Sequence, residues 1–149
     1  MSIVEELRVF FKPSSVAVIG ASEKPGTIGR AIMENLLRKF RGQVVPVNTK
    51  YERVFGLKCY RRVAEIPENI ELAVIAIPAK NVPRVAEECG EKGVRGLIVI
   101  SAGFREVGAE GAKLEEELVS IVRRFGMRMI GPNCLGVYLS LIHISEPTR

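Results

Sequence analysis

Aromatic residues make up only 6% of this 149-residue chain, tryptophan is absent, histidine occurs once and cysteine three times. Each scarcity closes a route. Lysine and arginine give a net charge of +5, but they are spread, as in Arg38-Lys39, Arg61-Arg62 and Arg123-Arg124, and are not interleaved with aromatic rings. A nucleic-acid face more often shows a basic stripe with stacking side chains, so the excess charge points to small anionic ligands instead. The cysteines, Cys59, Cys89 and Cys134, are odd in number and lack C-x-x-C spacing. That argues against a disulfide framework and a metal site and for a reducing compartment. Cys59 and Cys89 read as small apolar fillers. The chain is 47% hydrophobic yet has no run of 18 apolar residues, so no membrane-spanning helix is expected. Its first residues, Met1-Ser-Ile-Val-Glu-Glu6, have neither the basic nor the apolar region of a signal peptide. One cytoplasmic domain is the expectation. Abundant lysine, arginine and glutamate beside a single glutamine lean towards a thermophilic source.

The lone histidine, His143, falls in Leu139-Ser-Leu-Ile-His-Ile-Ser-Glu-Pro-Thr-Arg149. This stretch continues no structural rhythm and resembles a translated cloning or sequencing-adaptor tail. We divide the chain into a domain over 1–138 and an expected non-native tail over 139–149, and build no histidine mechanism on the tail.

What is present is an alternation of strands and helices. Apolar runs predict strands at Ser15–Gly20, Gln43–Asn48, Leu72–Ile77, Gly96–Ser101 and Met127–Gly131. Helices are predicted at Ile3–Phe11, Thr27–Phe40, Asn81–Lys92 and Ala109–Phe125. Phe10-Phe11 would pack the first helix on the sheet. Ile28, Ile32, Leu36 and Leu37 would form the inner face of the second, and Gly93 would end the third. The strands are continuously apolar, as expected when helices cover both faces. The fold class is α/β: a Rossmann-like doubly wound parallel sheet of about five strands, with its ligand at the carboxyl ends of the strands near the switch point.

The richest stretch is Val16-Ala-Val-Ile-Gly-Ala-Ser-Glu-Lys-Pro-Gly-Thr-Ile-Gly29. A buried strand, a glycine-rich loop and a helix N-terminus in that order make a phosphate cradle, because loop N–H groups and the helix dipole face the same anion. The spacing of Gly20, Gly26 and Gly29 is neither G-x-G-x-x-G nor a P-loop. Where an NAD site would carry an acid after the second strand, this chain has Asn48-Thr49-Lys50. A cation there suits a ribose with a phosphate monoester, as in NADP or coenzyme A. Arg30 stands where it could reach a phosphate. Glu106 reads as a cap or solvated loop residue, and Glu115-Glu-Glu117 as a solvated helix face. Cys134 has no base to activate it and reads as a lining residue.

Five stretches occur in order: Ser15-Val-Ala-Val-Ile-Gly-Ala-Ser-Glu-Lys-Pro-Gly26, Val47-Asn-Thr-Lys50, Val74-Ile-Ala-Ile-Pro-Ala79, Ile100-Ser-Ala-Gly-Phe104 and Ile130-Gly-Pro-Asn-Cys-Leu-Gly136. Together they resemble the N-terminal CoA-binding domain of the ADP-forming acetyl-CoA (acyl-CoA) synthetases, relatives of the succinyl-CoA synthetase alpha subunit. The resemblance spans about Val9 to Val137. It implies that the first loop, with Gly20, Ala21, Ser22, Lys24, Pro25, Gly26 and Gly29, wraps the CoA phosphates. It places Lys50 at the adenosine 3′-phosphate region and counts Asn48 among the CoA-binding residues, although family members commonly carry proline where this chain has Thr49. Ile77 and Pro78 would flank the adenine or pantetheine path. Ser101, Ala102 and Gly103 would meet the pantetheine arm, and Asn133 and Cys134 the thiol end.

The family's chemistry is acyl-CoA + ADP + phosphate giving acid + CoA + ATP, through an acyl phosphate and a phosphorylated histidine of a following domain. That domain and the ATP-grasp module, which takes ATP/ADP and Mg2+, would be partners outside this chain, in an enzyme expected to be oligomeric. By itself the chain would bind CoA and catalyse nothing. Two rival readings stand beside this one, a CoA-binding regulatory domain of a protein acyltransferase and an NADP-binding oxidoreductase domain.

Overall fold

A computed structural model describes residues 2–132. Asn133, Cys134, His143 and the expected tail from Leu139 onward lie outside the described residues. Four helices, α1 (Ile3–Phe11), α2 (Ile28–Lys39), α3 (Val82–Lys92) and α4 (Ala109–Phe125), alternate with strands β1 (Ser15–Ile19), β2 (Gln43–Val47), β5 (Leu72–Ile75), β6 (Gly96–Val99) and β7 (Arg128–Ile130). These five strands form one parallel sheet in the order β2-β1-β5-β6-β7. The chain reverses direction across the sheet between β1 and β5, which is the flavodoxin-type switch point. Between β2 and β5 lies a short antiparallel hairpin, β3 (Arg53–Val54) and β4 (Leu57–Lys58), which the sequence reading did not include.

Alternate strand residues feed two cores. Val16, Val18, Leu72, Val74 and Ile98 meet α1 and α2 through Val9, Phe10, Ile32, Met33 and Leu36. Ala17, Ile19, Ala73, Ile75, Leu97 and Val99 meet α3 and α4 through Val82, Val85, Ala86, Leu118 and Ile121. This is why the strands carry no alternation: both faces are dry. Phe104, fully buried beyond β6, closes the second core.

Two expectations about helix faces are corrected. On α2 the inner face is Ile32, Met33 and Leu36, whereas Ile28 is 56% exposed and Leu37 also faces outward. Leu37 lies about 100° around the helix from Leu36, and Ile28 opens the helix at the mouth of the cavity described below. Of the pair Phe10-Phe11 on α1, Phe10 packs on the sheet beside Val9, whereas Phe11 is 63% exposed. The other boundaries agree to within two residues, and Gly93 ends α3 in the left-handed conformation. Among the described residues no helix is long and apolar enough to cross a membrane.

Glu71, just before β5, fastens the start of the sheet. Its carboxylate accepts from the Ser14 N–H at 2.8 Å and pairs with Arg8 of α1 at 3.1 Å. Burial pushes its pKa up, but these bonds outweigh burial and hold it below the ordinary value of 4.5. A depressed folded-state pKa means that the stabilisation is fully present above 4.5 and is lost as pH falls through the lower folded value. Glu71→Gln should therefore cost about 1 kcal/mol near neutrality and lose less on acidification than the unsubstituted chain. Thermal unfolding at about pH 7 and about pH 3 measures both effects.

Candidate functional site

The carboxyl ends of β1, β2 and β5 open onto a cavity of about 860 Å³ at the switch point. Its floor is Ile19, Gly20, Val47, Ala76 and Ile77; its rim includes Ser22, Lys24, Thr27, Asn48, Lys50, Arg61, Arg62 and Arg84. Of the lining side chains, Lys24, Lys50, Arg61, Arg62 and Arg84 are cationic and only Glu88 is anionic. Five positive charges against one negative leave the cavity at +4, so it attracts polyanions.

The glycine-rich loop is shaped by contact with its neighbours. Gly20 has φ +98°, and a Cβ there would lie 2.2 Å from the Ala76 carbonyl oxygen. Gly29, in the first turn of α2, would place a Cβ 2.0 Å from the Gly20 carbonyl oxygen. Both glycines let backbone segments touch, and so bring the helix N-terminus down over the end of β1. Gly26 has φ +83° with open space around it. Thr27 caps α2: its Oγ1 accepts from the Arg30 N–H at 3.2 Å and donates to the Lys24 carbonyl at 2.7 Å. The Ser22 hydroxyl accepts from the Lys24 N–H at 2.9 Å. The first N–H groups of α2, those of Ile28 and Gly29, belong to residues lining the cavity and have no intrahelical acceptor.

Asn48 ties two loops together. Its Nδ2 donates to the Ala21 carbonyl at 2.8 Å and its Oδ1 accepts from the Lys50 N–H at 2.9 Å. The residue that stands where NAD sites carry an acid is thus spent on holding the glycine-rich loop and on turning the chain to present Lys50, whose side chain has no ion pair among the described residues.

The hairpin braces the same loop from outside. The Phe55 N–H donates to the Glu23 carboxylate at 2.5 Å. Arg30 stands over the Phe55 ring at 5.5 Å from its centroid, donates to the Glu23 carbonyl and pairs with Glu34 at 3.1 Å. Phe55 is the one non-glycine residue described with positive φ, +50°. Arg30, considered above as a phosphate ligand, is committed to this strap, on the neighbouring depression that Pro25 and Gly26 line.

Of the residues expected at the site, Gly20, Ser22, Lys24, Gly29, Asn48, Lys50, Ile77 and Pro78 line the cavity. Ala21 is buried beneath it, and Pro25 and Gly26 lie just outside. Ser101 is buried with its Oγ accepting from the Ile77 N–H at 3.1 Å, so it props the β5 loop. Ala102 and Gly103 do not line the cavity. Glu106 accepts from the Gly103 and Phe104 N–H groups and thus folds its own loop rather than capping α4, whose N-cap is Gly108. Cys59 and Cys89 are buried free thiols; burial pushes the Cys59 thiol up and, with help from the Glu88 charge, that of Cys89 to about 12. Neither is a nucleophile near neutral pH.

Sequence reasoning did not place Arg61, Arg62, Arg84 or Glu88 at the site. Arg84 and Glu88 are four apart on α3, and that spacing was readable. Arg61 and Arg62 reach the cavity only because Tyr60 bridges Val47 beyond the hairpin, a long-range pairing with no local signal.

The sequence profile of the CoA binding domain matches residues 14–140. The chain belongs to this CoA-binding domain family. Among curated proteins it is 56% identical over 127 residues to the ADP-forming acetate–CoA ligase I of Archaeoglobus fulgidus, covering 85% of this chain and 18% of that enzyme. It is 49% identical to the alpha subunit of the ADP-forming acetate–CoA ligase II of Pyrococcus furiosus, covering 88% of this chain and 29% of the subunit. Among solved structures, the dinucleotide-forming acetyl-coenzyme A synthetase 1 of Ca. Korarchaeum cryptofilum, in complex with phosphate and ADP, superposes with a TM-score of 0.80 at 44% identity, over 85% of this chain and 27% of that one. The chain therefore spans less than a third of the length of these relatives.

Proposed function

We propose that the chain binds coenzyme A in the switch-point cavity and is the N-terminal CoA-binding part of an ADP-forming acid–thiol ligase. The observation that carries this reading is the +4 cavity over the glycine-rich loop, within a domain of the CoA-binding family. Coenzyme A brings a diphosphate and a 3′-phosphate monoester, together about four negative charges near neutrality. The diphosphate suits the α2 N-terminus with Lys24, and the monoester suits Lys50. Ile77 and Pro78 offer an apolar ledge for the adenine or the pantetheine arm. Asn133 and Cys134 are assigned to the thiol end by resemblance alone. In the longer enzyme the acyl phosphate, the phosphohistidine and the ATP/ADP and Mg2+ chemistry would belong to regions outside this chain. What these residues contribute is to fix the thiol's carrier, so that the nucleophile arrives in one orientation.

The test is calorimetric titration of the chain with CoA, dephospho-CoA, NADP and NAD. CoA should bind, dephospho-CoA should bind about tenfold or more weakly, and NAD should give no measurable heat. Tight NADP or NAD binding without a response to CoA would overturn the assignment. The alanine variant at Lys50 should narrow the gap between CoA and dephospho-CoA.

A further inference from the structure

One carboxylate in an otherwise cationic cavity calls for a physical account. Glu88 has a side chain only 13% exposed, and its Oε2 faces Arg62 Nε and Nη2, each at 3.3 Å, and Arg84 Nη1 at 3.5 Å. The two guanidinium groups are themselves more than half exposed and line the cavity. They arrive from unrelated places, Arg84 one turn before Glu88 on α3 and Arg62 from the segment after the hairpin. Tyr60 fixes where that segment runs: it bridges Val47, and its carbonyl accepts from the Asn48 N–H at 2.9 Å. Arg61 and Arg62 therefore leave the same sheet edge that presents Lys50. Val63 and Val85, both buried, anchor the two arginine-bearing segments in the core beneath. An arginine has five N–H donors; Glu88 takes two from Arg62 and only ion-pairs with Arg84, so donors remain on both of these largely exposed side chains.

We propose that Glu88 is a positioning residue that holds Arg62 and Arg84 as a guanidinium wall, and that this wall, with Lys50 beside it, selects ligands carrying a terminal phosphate monoester. The inference rests on the CoA reading of the cavity and adds to it which residues discriminate. Guanidinium groups suit this task because two parallel N–H donors match two phosphate oxygens, and a pre-set fork spends less entropy on capture. By this account the half-buried carboxylate, although of the wrong sign for a polyanion, raises affinity for the monoester. A mere counter-charge would lower it.

The sign of one substitution separates the two. The full 149-residue chain, unsubstituted and as Glu88→Gln, Arg62→Gln and Arg62→Lys, is titrated with CoA and dephospho-CoA at fixed ionic strength, and each variant's melting temperature is recorded. Glu88→Gln should weaken CoA about five- to tenfold while changing dephospho-CoA by less than about twofold. Arg62→Gln should do the same, about tenfold, and Arg62→Lys should recover part of the loss, since it keeps charge without the fork. Tighter CoA binding by Glu88→Gln would overturn the proposal. So would equal weakening of both ligands, which would mean that the trio only pins the hairpin segment to α3. If the unsubstituted chain prefers CoA and the variants match it, the wall is wrong and the cavity assignment stands. If it binds no CoA at all, both fall.

Discussion

Gly20→Ala is expected to cost about 3 kcal/mol or more of stability and to abolish measurable CoA binding. Two costs coincide at this position. A left-handed φ of +98° disfavours any side chain by about 1–2 kcal/mol. The new Cβ would also lie 2.2 Å from the Ala76 carbonyl oxygen, where the obstacle is backbone of the central strand connection and cannot swing aside, adding a cost of about 1–3 kcal/mol for overpacking. Relief would require β1 and β5 to part at the floor of the cavity, which is where a ligand's phosphates would rest. Gly26→Ala is the matched control. Its φ is similar, at +83°, but nothing lies near the added methyl, so it should cost only about 1 kcal/mol and leave most of the affinity. Thermal unfolding and CoA titration of the two variants separate backbone strain from steric collision. Equal behaviour would show that the contact between Gly20 and Ala76 matters less than the geometry implies.

Phe104→Ala should produce the largest loss of stability at a distance from the ligand, about 3–5 kcal/mol. The ring is fully buried where α4 and the segment after β6 close the second core, and Gly111 of α4 approaches the Phe104 backbone too closely to admit a side chain. The site therefore has little freedom to collapse into the vacated space. Phe104 does not line the ligand cavity. Where the variant remains folded, saturating CoA should raise its melting temperature as much as it does for the parent, by mass action on the folded state. A variant that loses its CoA response while still folded would show that the α4 side of the sheet reaches the site, contrary to the arrangement described here.

The strands and helices were legible because each carries its own local signal. Leu72–Ile75 and Gly96–Val99 are unbroken apolar runs, Thr27 and Gly93 punctuate helices, and Gly20 to Gly29 breaks a strand in the manner of an anion loop. What was not legible depends on tertiary placement. The hairpin at Arg53–Lys58 is only two residues per strand and has no periodicity to read; it turns at Phe55-Gly56, and the Phe55–Glu23 bond ties it to the glycine-rich loop across 32 positions. The outward turn of Ile28 reflects its place at a helix start over a cavity, where an apolar residue is useful though uncovered. Asn48 illustrates a finer point. Its position after β2 was readable as part of a candidate site, and the structure adds that its side chain bonds the two loops that frame the cavity. Of the arginines, only three-dimensional convergence on Glu88 distinguishes Arg62 and Arg84 from ordinary surface cations.

The strap joining Phe55, Glu23 and Arg30 has a consequence for local opening. A hydrogen bond from Phe55 to Glu23 ties the hairpin to the glycine-rich loop, and Arg30 spans both, so a ligand that favours the ordered loop shifts the hairpin's opening equilibrium by the same free energy with which the attached hairpin favours the ligand. The amide of Cys59, which donates to the Glu52 carbonyl at the hairpin's base, is placed to report those openings by hydrogen exchange. Its exchange with and without ligand would measure how far occupancy of the cavity is felt at the base of the hairpin, a segment whose strands do not line the cavity.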